Sequence, residues 1–283
     1  MNYFISTLNL SPDTREKISI LLPKMKKLGF KNIEISSFHP YEENLNNLLI
    51  EFSKTHKLNI LIHNFSPPAQ ESFLLNLCSD NDFIRHKTNL FIKERIDLTK
   101  KLGGDYYSFH AGFRVDYLEE IHKYKSKISD KKSMDLFIYE LKGLLKHAEK
   151  KKVHIGVENH VAIIENKDNL ILYGMNNWKR LFNEIKSKYL HLHLDVGHLK
   201  VSANEHNFSR DDFLKTFGKH VMAMHVHDNT GVKVDCHAPF SENFWFNHYK
   251  YLPNLKYTML ETKTYGDIKL INNMIRILEE RRK

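Results

Sequence analysis

The chain has 283 residues, of which 41% are hydrophobic and 12% aromatic, enough to bury one large core or two modest ones. Its apolar runs stay well short of the roughly 18 residues that a membrane-spanning helix needs, and its two cysteines exclude a disulfide framework. The first residues, Met-Asn-Tyr-Phe, lack the basic region of a signal peptide. We therefore expect a single domain over residues 1–283 in a reduced cytoplasm, with no membrane partner.

The net charge of +9 permits two interpretations. A partner rich in phosphate, either a nucleic acid or a sugar phosphate, would favour a basic surface. The basic residues are, however, spread over many amphipathic segments and are densest at 146–152 and 281–283, which favours an ordinary lysine-rich surface. The 18 histidines are more informative, because several of them fall at the ends of predicted strands.

Short apolar runs alternate with segments of helical periodicity along the whole chain. The runs predict eight strands, at residues 2–8, 31–36, 58–63, 106–110, 153–158, 189–195, 221–227 and 256–261. The segments between them predict helices at residues 11–28, 42–56, 81–102, a long segment ending near 151, 176–185, 209–217, 244–252 and 268–281. Longer loops are predicted at residues 64–80, 159–174 and 229–240.

Alternation of strands and helices indicates a parallel sheet. Eight such units in a chain of this length predict a (β/α)8 TIM barrel, an α/β fold in which eight parallel strands are surrounded by helices. A doubly wound open sheet is the alternative. It would favour a glycine-rich turn after the first strand, whereas this chain has Asn9-Leu10-Ser11 there.

Polar residues stand at the ends of six predicted strands: His63, His110, Glu158, Asp195, His225 and Glu261. In a barrel these ends meet at one rim. Taken alone, a histidine at a strand end is usually a hydrogen-bonded core residue, and a glutamate there usually caps a loop. A buried carboxylate is costly unless it is paired or bound to metal, and carboxylates with imidazoles are the ligands of divalent cations. The set therefore predicts a metal centre at the rim.

Four short motifs carry the last four of these residues along the second half of the chain. They are Val157-Glu-Asn, Leu194-Asp-Val-Gly-His198, Ala223-Met-His-Val-His-Asp228 and Leu260-Glu-Thr262. In their order and strand positions they resemble the xylose isomerase-like TIM-barrel superfamily, which contains sugar isomerases, ketose epimerases and endonuclease IV. The resemblance extends over nearly the whole chain, and its specificity comes from the order of the motifs, since each one is short.

The resemblance to the ketose epimerases implies one divalent metal held by four residues: Glu158, Asp195, His225 and Glu261. His225 is preferred to His227 because the metal-binding histidine of that family stands three residues before an acidic residue, here Asp228. The resemblance also implies that the metal clamps two adjacent oxygens of a sugar and stabilises an enediolate. Glu158 and Glu261 would then be the catalytic residues, one removing a proton and the other returning it on the opposite face.

Weaker candidates for contacts with substrate are His198, His227, Lys200 and Arg114. In the epimerase interpretation His198 binds a substrate hydroxyl. The lysine and the arginine would neutralise a substrate phosphate, although each is more often a surface charge. His191 and His193 point inward on the same strand face, and we expect them to be hydrogen-bonded core residues or partners of the ligands.

Endonuclease IV provides the alternative. That family binds three zinc ions through nine ligands, and residues of suitable type are present here at all nine positions: His63, His110, Glu158, Asp195, His198, His225, Asp235, His237 and Glu261. Such a centre would direct a water against a phosphodiester, and the positive net charge would suit DNA. Two segments differ from the nuclease: the run Ala-Pro-Phe-Ser-Glu-Asn after His237, and the loop after Glu158, which is not rich in small residues.

We therefore expect a metal-dependent isomerase or epimerase of sugars or sugar phosphates, with an endonuclease IV-like phosphodiesterase acting on nucleic acid as the alternative. Lyase-type relatives and a non-catalytic binding barrel are less favoured, because a binding protein has no need of two carboxylates across one metal. A centre with one histidine suits manganese, magnesium or cobalt, whereas recruitment of further histidines favours zinc or iron. One site is expected and up to three are compatible with the residues. The resemblance also implies a homo-oligomer.

Overall fold

The computed structural model of the protein describes residues 2–10, 16–36, 39–117 and 124–283. Its strands are β1 (Asn2–Ser6), β2 (Asn32–Ile35), β3 (Asn59–Ile62), β4 (Tyr106–His110), β5 (Val115–Tyr117), β6 (Tyr124–Lys127), β7 (His154–Glu158), β8 (Leu190–Asp195), β9 (Val221–Val226) and β10 (Tyr257–Leu260). Eight of them form one parallel sheet in the order β3-β2-β1-β10-β9-β8-β7-β4, and β5 pairs with β6 in a separate antiparallel hairpin.

The sheet curls until its two outer strands meet. His63, just after β3, forms a parallel bridge with Ser108 of β4, and the Asn64 amide donates to the Ser108 carbonyl at 2.7 Å. The barrel is therefore nearly closed, and the predicted (β/α)8 fold is confirmed. All eight predicted barrel strands are present at the expected places.

Eight helices are described between and after the strands. They are α1 (Ile18–Lys27), α2 (Leu45–His56), α3 (Asp82–Lys101), α4 (Asp130–Lys151), α5 (Met175–Glu184), α6 (Val196–Glu205), α7 (Arg210–Phe217) and α8 (Ile268–Arg282). Ser129 and Ser209 cap α4 and α7, because each hydroxyl accepts from a backbone amide of the first turn. Within these residues no helix combines the length and the apolar character that crossing a membrane requires.

The prediction missed α6 entirely. This helix begins at the residue after β8, because the Asp195 carboxylate accepts from the His198 amide at 2.7 Å and so caps the first turn. Gly197 lies in this turn, where a Cβ would lie 2.0 Å from Cε1 of His227. The short strand-to-helix connection brings His198 back over the rim.

Other predicted boundaries also need correction. The predicted helix at 244–252 is wrong, since the segment is irregular apart from one 3-10 turn at Tyr249–Tyr251. Its carbonyls are satisfied from outside: Arg281 of α8 donates to Phe246 at 2.9 Å and also to Phe244. The first strand ends at Ser6 and continues as a 3-10 helix, and the hairpin of β5 and β6 replaces a predicted loop. The predicted helix start at residues 11–15 lies outside the described residues.

The barrel interior changes character along its axis. An apolar cluster fills it and includes Phe4, Leu61, Tyr106, Met222, Ala223, Tyr257 and Met259. Every second residue of a strand points into the barrel. The next inward residues toward the carboxyl ends of the strands are polar. Met259 is followed on its face by Glu261, and Ala223 by His225. The carboxyl end of the barrel therefore holds a buried layer of polar side chains, which lies above the apolar cluster.

Candidate metal centre

The four residues expected to hold one metal come together around the imidazole of His225. Its Nδ1 atom lies 3.1 Å from Glu261 Oε2, 3.4 Å from Glu158 Oε1 and 3.8 Å from Asp195 Oδ2. These residues stand at the ends of β7, β8, β9 and β10, which are neighbours in the sheet. All four side chains are buried. A cation between them would meet three carboxylates and one imidazole.

The donor set fits a cation because several of its atoms have no hydrogen-bond partner. Among the described residues, Glu158 Oε2, His225 Nδ1 and Asp235 Oδ1 are buried side-chain atoms that make no hydrogen bond. Unpaired polar atoms in a protein interior are rare and destabilising unless something else satisfies them. All three belong to the predicted ligand residues, so divalent cations bound at the rim would account for them.

Glu34 holds the opposite side of the His225 ring. Its two carboxylate oxygens lie 3.1 and 3.0 Å from His225 Nε2, and both side chains are fully buried. A carboxylate in this position fixes the ring and its tautomer, and leaves Nδ1 as the atom that would hold a cation. Sequence reasoning gave Glu34 no role. The available signal was an acidic residue at an inward position between Ile33 and Ile35 of a buried strand.

His63 and His110 approach Glu158 from the other side. Their Nε2 atoms lie 3.1 and 3.5 Å from Glu158 Oε2. The far nitrogen of His63, Nδ1, hydrogen-bonds the Ser108 hydroxyl at 2.9 Å. Glu158 therefore has one oxygen near His225 and the other near two imidazoles, which is the arrangement of a carboxylate that can bridge two cations.

A third group lies on the outer side of Asp195. Asp235 Oδ2 is 3.0 Å from His198 Nε2 and 3.1 Å from His237 Nε2, and Asp235 Oδ1 is 3.6 Å from His227 Nε2. These four residues offer ligand atoms that all lie within 4.8 Å of one another. His227 was predicted as a weak substrate contact and as the alternative to His225 as a metal ligand. The structure places it in this acid–imidazole group and also 3.1 Å from Asp195.

Backbone carbonyls orient the imidazoles of this third group. His198 Nδ1 hydrogen-bonds the Asn159 carbonyl at 2.8 Å, and His237 Nδ1 the Glu261 carbonyl at 3.0 Å. Each ring thus donates from Nδ1 and turns Nε2 toward Asp235. Asn159 also ties β7 to β8, because its amide group exchanges two hydrogen bonds with the Asp195 backbone.

Burial and mutual charge shift the ionisation of the centre. Burial raises the pKa of Glu158 to about 7, although His225 and His198 pull it down. Burial also lowers the pKa of His63 and His110 well below the usual range, which keeps their ring nitrogens available as ligands. Burial opposes protonation of His237 as well, but the Glu261 and Asp235 carboxylates outweigh it and raise the pKa of His237 to about 9.

Two cationic candidates lie apart from these ligand groups. The Lys200 amine is 2.7 Å from Asp228 Oδ1 and also donates to the Asn229 carbonyl. The Arg114 Nε atom donates to the Ile128 carbonyl at 3.2 Å. Lys200 is thus paired with a carboxylate of the chain, and the substrate contacts expected of Lys200 and Arg114 stay predictions.

The two inward histidines of β8 have different partners. His193 hydrogen-bonds the Tyr106 hydroxyl through Nδ1 at 2.9 Å, and its buried Nε2 faces the Glu158 and His225 layer. His191 pairs with His154 at 2.8 Å near the amino end of the barrel. Both are hydrogen-bonded as expected, and His193 is the one close enough to support the ligands.

The fold and the rim can be compared with known proteins. A family model described as a xylose isomerase-like TIM barrel matches residues 22–265. A D-tagatose 3-epimerase-like protein is 20% identical over 99% of this chain and 98% of its own, with a TM-score of 0.75. The D-allulose 3-epimerase from Methylomonas sp., in complex with D-allulose, is 14% identical over 99% and 97%, with a TM-score of 0.70. The IolI protein with a bound zinc atom is 16% identical over 100% and 98%, with a TM-score of 0.69.

No curated protein sequence matches the chain. The three structures named above are each no more than 20% identical to it, so their similarity supports the fold and not an activity. The family model, in contrast, matches most of the chain, and the strand order and barrel closure agree with it. The chain belongs to the xylose isomerase-like TIM-barrel family.

Proposed function

We propose that the protein is a metal-dependent isomerase or epimerase of a sugar or sugar phosphate. The observation that carries the proposal is the placement of two buried carboxylates, Glu158 and Glu261, at 3.4 and 3.1 Å from His225 Nδ1. Sugar 3-epimerases and zinc-containing IolI share this fold, so the fold is compatible with the same choice.

Glu158, Asp195, His225 and Glu261 are the residues that would hold the cation. A divalent cation supplies Lewis acidity, which stabilises negative charge on two adjacent oxygens of the sugar. Asp195 is suited to a purely ligating role. Burial raises its pKa, but His198 and His227 outweigh that effect and hold the pKa of Asp195 below its usual range, so that it stays ionised.

The two glutamates would move the proton. One carboxylate takes the proton from the carbon beside the carbonyl, and the electron pair of that C–H bond moves toward the carbonyl oxygen to give an enediolate. The other glutamate returns a proton to the same carbon on the opposite face, which inverts the centre.

Solvent exchange tests this proposal more directly than turnover alone. The metal-loaded protein would be incubated in D2O with D-allulose, D-tagatose or D-fructose, and with their phosphates. We expect deuterium at the carbon next to the ketone, together with a second epimer or an aldose. Glu158→Gln and Glu261→Gln should lower exchange by a factor of at least about 100. Full exchange and full metal content in both variants would refute the assignment.

A multi-metal phosphodiesterase is the second candidate. The observation favouring it is the gathering of five further ligand-type residues around the four: His63, His110, His198, Asp235 and His237. The bridging arrangement of Glu158 and the Asp235 group are more than a single cation needs. The net charge of +9 is also compatible with a nucleic acid.

Metal content separates the two candidates. Elemental analysis of protein purified without added metal should give about one divalent ion per chain for the epimerase proposal. Two or three ions, especially zinc or iron, would favour the second candidate and lead to assays with abasic-site DNA and small phosphoesters. The single-domain organisation, the cytoplasmic location and the homo-oligomer stay predictions.

A further inference from the structure

A separate cavity lies on the outside of the barrel, against α2 and α3. Its volume is about 610 Å³, which is in the usual range for small-molecule sites. The walls come from Leu45, Asn46 and Asn47 at the start of α2, from 67–70 after β3, and from α3 residues between Phe91 and Lys101. None of the residues of the metal centre lines it.

Arg95 of α3 lines this cavity and is almost completely buried, with 5% of its surface exposed. Its guanidinium stacks on the Phe91 ring, with Cζ 4.3 Å from the ring centre. Stacking stabilises the flat face of the group but does not satisfy its N–H donors. The hydrogen-bonding edge of the guanidinium must therefore be satisfied by something else.

In the described part of the chain, few acceptors lie within hydrogen-bonding distance of the guanidinium N–H groups. Nη1 has a long contact of 3.4 Å with Asn46 Oδ1, and Nε makes no hydrogen bond. The nearest carboxylate is that of Glu94, 3.6 Å from Nη2, and the Glu94 side chain is 70% exposed to water. Burial lowers the pKa of Arg95 and outweighs the opposing effects of Tyr107 and Glu94.

The other acidic residues of the cavity wall are engaged elsewhere. Asp97 Oδ1 is 2.8 Å from His147 and 3.0 Å from Lys151. Glu42 accepts from the Ser19 amide of α1 at 3.1 Å. The cavity therefore holds a buried guanidinium whose charge the described neighbours leave largely uncompensated, with Lys101 as a second cation on the wall.

We propose that this cavity is a second binding site, for a small metabolite with an oxyanion group, in which Arg95 receives the phosphate or carboxylate. The guanidinium fork presents parallel N–H donors that match either group. Pro67, Pro68 and Leu98 supply apolar wall for the remainder of the molecule. The site shares no residue with the metal centre, so it does not rest on the proposed catalytic function.

Thermal unfolding of the metal-loaded protein tests the site, with inorganic phosphate and malonate as probes against chloride at equal ionic strength. We expect a saturable rise in Tm of about 2–5 °C with at least one probe. Preference for phosphate or for malonate identifies the group that the site prefers. Arg95→Met should abolish the difference between anions. Arg210→Met is the matched control, since Arg210 stacks on Trp245 at 4.6 Å outside this cavity.

A second variant tests the site independently if Arg95→Met folds poorly. Asn46→Asp puts a carboxylate beside the guanidinium, so we expect a higher Tm without added anion and a smaller response to the probes. Any anion that binds at the metal centre affects the wild type and both variants alike and cancels in the comparison. An equal response to the probes in wild type and Arg95→Met, or no saturable response in the wild type, would overturn the proposal.

Discussion

Glu34 and His225 form a buried pair across the barrel, with Glu34 Oε2 3.0 Å from His225 Nε2. The pair joins β2 to β9, which are separated in the sheet by β1 and β10. It therefore spans the barrel interior and sets which nitrogen of the imidazole faces the carboxylates of the rim. Metal-binding histidines are commonly held in this way by a carboxylate behind them.

Removing the charge of Glu34 should weaken metal binding without unfolding the barrel. We expect Glu34→Gln to lower metal affinity by a factor of about 10–100, because the ring loses the partner that orients it and makes it a better ligand. Competition with a chromophoric chelator measures the affinity independently of activity. Glu140→Gln is the control, since Glu140 accepts from Asn89 at 2.8 Å between α3 and α4. Equal affinities in the two variants would contradict the role of Glu34.

The rim was predictable because a barrel converts strand order into proximity. His63, His110, Glu158 and Asp195 each stand at the end of a short apolar run, and parallel strands bring such ends together whatever lies between them in sequence. Glu34 was not predictable on this basis. Alternation indicates which face of β2 it occupies, but its distance to His225 depends on how the sheet closes.

The surroundings of His227 escaped prediction for a related reason. Alternation along β9 predicted the face on which His227 lies. The ring, however, packs against α6, a helix that the sequence did not indicate. The ring lies against Gly197 in the first turn of α6 and stacks on His237 with centroids 4.1 Å apart. Packing of a strand residue against the following helix and a distant loop is tertiary information, which a local pattern does not contain.

Gly197 should be sensitive to the smallest substitution. A Cβ at this position would lie 2.0 Å from His227 Cε1, and that ring is fully buried. We expect Gly197→Ala to destabilise the protein by about 1–3 kcal/mol and to weaken metal binding, because the ring must move. Gly143→Ala is the matched control: a Cβ there meets nothing within 4 Å on an exposed face of α4.

The control should change stability in the opposite direction. Alanine is the better helix former, so we expect Gly143→Ala to stabilise the protein by about 0.5–1 kcal/mol. Urea unfolding of both variants measures the difference. If Gly197→Ala proved as stable as Gly143→Ala, with metal binding intact, the close packing of His227 on α6 would be disproved.

Arg281 should stabilise the irregular segment that replaces the predicted helix at 244–252. Its guanidinium donates to the Phe246 carbonyl at 2.9 Å and to the Phe244 carbonyl. We expect Arg281→Met to lower the free energy of unfolding by about 1–3 kcal/mol, because buried carbonyls lose a charged donor. Arg282→Met, at the exposed end of the same helix, should change it by less than about 0.5 kcal/mol. Similar effects of the two substitutions would show that Arg281 contributes no more than a surface charge.

His191 should make stability depend on pH at a place remote from the metal centre. It hydrogen-bonds His154 at 2.8 Å, and burial, with the neighbouring His154 ring, lowers the pKa of His191 to about 4. The unfolded chain takes up a proton near pH 6.5, whereas the folded chain does so only near pH 4. Between these values the unfolded state binds more protons, so the stability falls as the pH is lowered through this window.

Comparison of two variants isolates this contribution from that of the rim. Between pH 7 and pH 4.5 we expect the wild type to lose more free energy of unfolding than His191→Gln, by on the order of 1–3 kcal/mol. Glutamine keeps a hydrogen-bond partner for His154 but cannot take up the proton. The metal centre is the same in both proteins, so its own titration cancels in the difference. Parallel pH profiles for the two proteins would mean that the His154–His191 pair accepts a proton in the folded state as readily as in the unfolded chain.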